Sequence, residues 1–209
     1  RLRKEAAERL HADRMGFIRS HRQSPLALYV ANEMISKSFS VPATDLEEIL
    51  ARNCRISDTA RAARFCRQAE QACYFCKDIH YPDVPLHTPT FDTTLLSAHI
   101  RPGHVTLIDC WASWCGPCRA AIPKVKALYD KYGRDRFDVI SISLDSKKED
   151  WQKALEEEKM PWPQFIAGNR GYKQLTSRYN ISSIPNLILI DGKGQVVCNT
   201  FSPEEIRIE

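Results

Sequence analysis

The sequence predicts an α/β domain with a mixed central sheet flanked by helices, preceded by an all-helical N-terminal segment. Three observations carry that prediction. Residues 1–77 place apolar side chains at helical spacing, residues 78–92 contain Pro82, Pro85 and Pro89 without periodicity, and residues 93–209 alternate short apolar runs with amphipathic stretches. The expected organisation is a helical segment at 1–77, a proline-rich linker at 78–92 and the α/β domain at 93–209.

Within the first segment, Ser24 followed by Pro25 reads as an N-cap and first helical residue ahead of 26–35. Thr44 and Glu47 read as a capping box before Leu46, Ile49 and Leu50. From Ser57, Ala62, Phe65, Cys66, Ala69, Ala72, Cys73 and Cys76 recur at three and four, which predicts a strongly amphipathic helix. The three prolines that follow predict a stiff, extended connector without regular hydrogen bonding. After it, strands are expected at 105–110 and 137–144 around a helix at 115–132, an order that implies a parallel pair with a right-handed crossover. Further helices are expected at 147–159 and 171–179. A closing hairpin is expected from 186–190 and 195–200, and Ser202-Pro203 reads as the start of a final helix.

Composition narrows the function classes. Residues 1–77 carry 14 Lys and Arg against 9 Asp and Glu, so the surplus behind the net charge of +4 belongs to the helical segment. Those cations are interleaved with acids along several helices, the pattern of solvated faces rather than a nucleic-acid footprint. No apolar stretch is long enough to span a bilayer. The chain opens with Arg1 and has no methionine before Met15, so the natural start and any targeting signal are expected upstream.

The eight cysteines include two Cys-x-x-Cys pairs. Cys115 and Cys118 stand where a strand gives way to a helix. There, unpaired backbone N–H groups and the helix dipole favour negative charge, so Cys115 is expected to hold a thiolate more readily than a free thiol of pKa about 8.5. Cys118, one turn on and deeper, is placed to release a mixed disulfide from behind. Zinc would need two more ligands, and none follows closely. Cys73 and Cys76, with His80 and His87, could be written as a zinc set, but both cysteines fall on an apolar helix face together with Cys66 and read as core packing. Cys54, Cys110 and Cys198 read as single packing residues, with Cys110 on the strand face opposite Asp109. His99 and His104 read as surface residues, and the run 156–159 as an exposed helix face. Trp111 and Trp114 read as apolar walls that shield the pair and offer a partner a flat surface.

At these residues the sequence resembles the thioredoxin superfamily, and more closely its TlpA/ResA-like members from bacterial cell envelopes. The likeness spans 105–200. It rests on Asp109, Trp111, Trp114, Cys115, Gly116, Pro117 and Cys118, on Pro123 as the helix proline, and on Ile184-Pro185 as the cis-proline pair. The resemblance implies a thioredoxin-like fold and a thiol-disulfide oxidoreductase. Cys115, Cys118 and Asp109 would be catalytic, with Asp109 as the general base that accepts the Cys118 proton. Trp114, Gly116, Pro117, Ile184 and Pro185 would bind the substrate chain. The family's glutamate three residues after the second cysteine is replaced by Ala121, and Asn186 stands where a threonine is common after the cis-proline. Gly-Pro between the cysteines points to reducing thioredoxins, near about −270 mV, rather than to oxidants near about −120 mV.

The expected partners are protein thiols and disulfides and an upstream redox protein, with no cofactor, metal or nucleic acid. The expected location is the periplasm or cell envelope, with a lipid anchor carried by a missing N-terminus. A thiol peroxidase and a non-catalytic binding module are the other classes. The segment before Cys115 lacks the Pro-x-x-x-Thr/Ser-x-x-Cys setting of peroxidases.

Overall fold

The computed structural model describes residues 2–21, 24–35, 41–53, 79–132, 135–179 and 181–208. The chain divides into two compact units, 1–77 and 78–209. In the first, α1 (Leu2–Ser20) packs on α2 (Pro25–Ile35), and α2 on α3 (Ala43–Asn53). Met15 and Ile18, then Ala27, Ala31 and Met34, then Leu46 and Ile49 are buried, the spacing by which a helix keeps one face toward its neighbours. Ser24 caps α2, its hydroxyl accepting the Leu26 N–H at 3.2 Å. At α3 the capping box does not form. The Pro42 carbonyl accepts the Asp45 and Leu46 N–H groups, which starts the helix at Ala43 and puts Thr44 inside its first turn. Arg19 with Glu48 and His11 with Asp45, both at 2.7 Å, tie α1 to α3 at the surface. Exposed pairs of this kind contribute at most about 1 kcal/mol each, so the apolar stripe decides the packing. Cys54, Cys66, Cys73, Cys76 and the helix expected from Ser57 lie outside the described residues.

The second unit is built on a seven-stranded sheet. Its elements are β1 (Pro85–His87), β2 (Thr93–Leu95), β3 (Val105–Trp111), α4 (Gly116–Tyr132), β4 (Phe137–Ser143), α5 (Lys148–Glu158), β5 (Gln164–Ile166), α6 (Gly168–Arg178), β6 (Asn186–Ile190) and β7 (Val196–Thr200). The strand order is β2-β1-β5-β4-β3-β6-β7. Pairs β3/β4 and β4/β5 are parallel and the others antiparallel, so the sheet is mixed, with helices on it. β3 is central and buried along six of its seven residues, which is why it reads as an unbroken apolar run apart from Thr106 and Asp109.

The expected linker is not a linker. Ile79 accepts the Val196 N–H at 2.9 Å, His80 bridges to Gln195, and residues 85–87 form β1 between β2 and β5. Proline misled the reading because Pro85 stands at the first position of its strand, where a missing donor is tolerated, and Pro82 serves as an acceptor for the Tyr179 hydroxyl at 2.5 Å. The final helix expected from Ser202-Pro203 is a single 3₁₀ turn, Pro203–Glu205.

Strand alternation sorts the sheet into two faces. Leu107, Val139, Leu187 and Leu189 form one core with Val125 of α4, and with Phe137, Trp162 and Ile206. At the carboxyl end of the same face, Trp111, Ile122, Trp151, Ala154 and Ile166 enclose the two cysteines. On the other face, the Tyr179 phenol lies near Cys110, and both are fully buried.

One close approach fixes α6 against β1. A side chain at Gly171 would strike the backbone carbonyl of Pro85. Gly171→Ala is therefore expected to destabilise the chain by about 1–3 kcal/mol, read as a lower midpoint in denaturant. An unchanged midpoint would contradict this packing.

Candidate active site

β3 ends at Trp111, and the turn that follows delivers the chain into α4. The Cys115 N–H is taken by the Ala112 carbonyl at 3.0 Å, and the Cys115 carbonyl opens the helix by accepting from Arg119 at 3.1 Å. Cys115 thus stands at the helix mouth, where the sequence placed it. Its Sγ accepts the Cys118 backbone N–H at 3.2 Å, as a capping oxygen would, so an orphan donor of the first turn points at the sulfur. Cys115 and Cys118 are joined in a disulfide.

The burial of the pair differs from expectation in degree. Cys115 is the more accessible, but at 4% against 2% for Cys118 the difference is small. Gly116 and Pro117 are exposed above them, and Trp114 is 70% exposed, the largest apolar surface at the rim. Trp111 is 0% exposed, so only one of the two tryptophans can meet a partner. The Ile184-Pro185 bond is cis, and Ile184 packs against the cluster that holds both sulfurs. Of the site residues expected from sequence, Cys115, Cys118 and Ile184 thus share one packed cluster, with Gly116 and Pro117 between the two cysteines in the chain, while Trp111 lies inside the cluster rather than facing a partner.

Asp109 lies on the α4 side of β3, two residues before Trp111, with Ser141 opposite it on β4 and Leu187 opposite on β6. The Ser141 hydroxyl donates to its Oδ2 at 2.8 Å. Burial pushes the carboxyl up from its ordinary 3.8 to about 6, against the smaller lowering by the Ser141 bond. Cys110, on the other face, is pushed far above the ordinary thiol range by burial and then by Asp109, which leaves it inert.

Several contributors were missed in the sequence. Asp145 is 5% exposed and clamps the turn before Cys115: its two oxygens accept the Ser113 N–H at 2.9 Å and the Ser113 hydroxyl at 2.7 Å. Ser143 donates to the same carboxylate at 2.6 Å. The signal was the Ile140-Ser141-Ile142-Ser143 alternation, which puts two hydroxyls at period two on the inner face of a central strand. Phe91 sits at the β1–β2 tip with φ of 71°, in the left-handed region. Its ring meets Trp151 edge-on at 6.2 Å between centroids and carries the Lys148 ammonium at 3.5 Å. The run 156–159 is not a bare solvent face, because Arg119 bonds Glu157 at 2.7 Å and Glu158 at 2.6 Å, tying α4 to α5. His99 is bonded to Thr94 at 3.0 Å and packed on Phe165, and His104 Nδ1 lies 3.2 Å from Asp138 without making a hydrogen bond. Asn186 is buried and donates to Asn199 at 2.9 Å, which turns its amide along the sheet. Among the described residues no cluster of His, Cys, Asp and Glu could hold a metal.

A family model described as thioredoxin-like matches residues 103–196. Sporulation thiol-disulfide oxidoreductase A of Bacillus subtilis is 25% identical over 104 residues, which cover 48% of this chain and 61% of that protein. Thiol-disulfide oxidoreductase ResA of Geobacillus kaustophilus is 25% identical over 127 residues, covering 57% of this chain and 71% of its own length. This chain thus spans less than two thirds of the Bacillus protein. Among solved structures, the thioredoxin domain of a thiol-disulfide oxidoreductase from Bacteroides vulgatus superposes with a TM-score of 0.55 at 26% identity, over 63% of this chain and 89% of that one.

Asp109 makes a sign-definite prediction. A carboxyl whose folded pKa lies above its unfolded value contributes stability fully below about pH 4 and loses it as pH rises through about 6. At pH 8, Asp109→Asn is expected to be more stable than the parent by about 3 kcal/mol in denaturant unfolding, with the gap closing near pH 4. A gap independent of pH would contradict the buried carboxyl. Asp145→Ala should lower stability by about 2–4 kcal/mol, since it orphans the Ser113 N–H and two hydroxyls, and the loss should show as a lower unfolding midpoint.

Proposed function

Because the chain belongs to the thioredoxin superfamily through its second unit, in the TlpA/ResA-like group, we propose that it exchanges disulfides with protein substrates through Cys115 and Cys118. The observation that carries this reading is the Cys115–Cys118 bond at the mouth of α4, with cis Ile184-Pro185 packed against the same cluster.

In the reducing direction, the Cys115 thiolate attacks a sulfur of the partner's disulfide. A mixed disulfide forms and the partner's other sulfur leaves as a thiolate. Cys118 gives its proton to the Asp109 carboxylate, then attacks Cys115. The bond from Cys115 to the partner breaks, the pair becomes the disulfide, and the partner leaves with both sulfurs reduced. The helix mouth favours the attacking anion, and the buried carboxyl supplies a base whose pKa near 6 suits proton transfer at neutral pH. Trp114 and the exposed Gly116-Pro117 turn offer the docking surface, and the Ile184-Pro185 backbone offers an edge for the substrate chain.

The Gly-Pro dipeptide supports a reducing or isomerising role, with electrons supplied by an upstream thiol protein. A periplasmic or envelope location is supported by the resemblance to envelope oxidoreductases. No described helix is long and apolar enough to cross a membrane.

Reduction of insulin disulfides by dithiothreitol tests the reading. The parent chain should accelerate it, Cys115→Ser should return it to the uncatalysed rate, and activity surviving in that variant would refute the role of Cys115. Cys118→Ser should accumulate covalent adducts with protein substrates that disappear on reduction, since the group that breaks them is gone.

A further inference from the structure

The inner face of β4 carries one more group that bears on the exchange step. Ser141 Oγ–H donates to Asp109 Oδ2 at 2.8 Å, and Trp162 Nε1–H donates to Ser141 Oγ at 2.8 Å. Ser141 is 0% exposed and Trp162 3%. A serine hydroxyl has a single hydrogen and an indole N–H can only donate, so the indole fills a lone pair and turns the hydrogen toward the carboxylate. The indole is itself held by Tyr129 of α4, with ring centroids 5.3 Å apart. The Met160 thioether, 3.9 Å from the same oxygen, is a weak acceptor and does not compete with a carboxylate.

We propose that Ser141, oriented by Trp162, is the positioning residue of Asp109 and sets the pH above which Cys118 closes on Cys115. This rests on the role given to the three residues under Proposed function. The groups around Asp109 leave Ser141 this part. On α4, Cys118 faces the core, while Arg119 is engaged by Glu157 and Glu158 of α5, and Lys126 by the Glu158 carbonyl. On β6 the opposing residue is Leu187, and on β3 Cys110 faces the far side of the sheet. The Tyr129 ring packs tilted against the indole. Among the described residues, the Ser141 hydroxyl is the one side-chain donor recorded on Asp109.

Its bond stabilises the ionised carboxylate, the form that accepts the Cys118 proton. Without it Asp109 holds its own proton to higher pH, and the Cys118 thiolate that must displace the partner's sulfur forms later.

The two sulfur steps separate when the reduced full chain meets an aromatic disulfide, dithionitrobenzoate. One nitrothiophenolate leaves when Cys115 attacks and a second when Cys118 closes the pair, and Cys118→Ala identifies the second release against the background of other thiols. Ser141→Ala should move the acid limb of the second release upward by about one pH unit, closing about tenfold more slowly below it, with the first release unchanged. Trp162→Phe should move the limb the same way by less. Ser141→Thr, which keeps the hydroxyl, should retain the parent limb, and in an Asp109→Asn background Ser141→Ala should move nothing further. Closing slowed equally at every pH would mark a merely structural serine and overturn the inference, as would a shift that persists without Asp109. Either result leaves the parent's two-step release, and the reading of the cysteine pair, intact. A parent chain with no second release at any pH would bring down that reading and this inference together.

Discussion

The burial of β3 on both faces is the constraint from which the site follows. A strand in the middle of a sheet has no solvent to lend its polar atoms, so a carboxylate placed on it must find a donor or keep its proton. Asp109 does some of each, with one hydroxyl bond and a pKa lifted to about 6. The same strand ends two residues later and feeds α4 through the short turn at 112–115, which Asp145 clamps, so only a few residues separate the carboxyl from the sulfurs.

β4 answers that constraint. Its inner face runs Phe137, Val139, Ser141, Ser143: two core hydrophobes, then two hydroxyls, each serving a buried carboxylate. Ser141 serves the strand that precedes the active helix. Ser143, through Asp145, serves the turn that begins it. A tidier apolar strand would take the Ser141 donor from Asp109 and the Ser143 donor from Asp145, leaving Ser113 alone to hold the second acid.

Much of this was legible in the sequence. The helix at α4, the strands on either side of it, the closing hairpin and the cysteine pair each carry local signals, and local signals survive into the fold. The misses share a cause. Residues 78–92 read as a linker because prolines report only on their own backbone, and the partners that make 85–87 a strand lie in β2, just across a turn, and in β5, far along the chain. The capping box at Thr44 failed because the carbonyl of Pro42 supplied the first ladder bonds. Phe91 and the Arg119 ties to α5 depend on contacts across the chain that no spacing rule encodes, and the alternation at 140–143 marks the Ser143 hydroxyl without naming Asp145 as its partner. Asp109 was found by resemblance, but its partner Ser141 could be seen only once the register of β3 against β4 was known.

The way the second unit begins has a mechanical consequence. Its first residues are bonded to β7 beside the Asp191–Gly194 turn, at the amino end of β3, while the cysteines lie beyond that strand's carboxyl end. A pull on the chain at Ile79 is therefore borne by its backbone bond to Val196, a strand's length from the sulfurs. Tethering this unit from its front leaves the redox face slack.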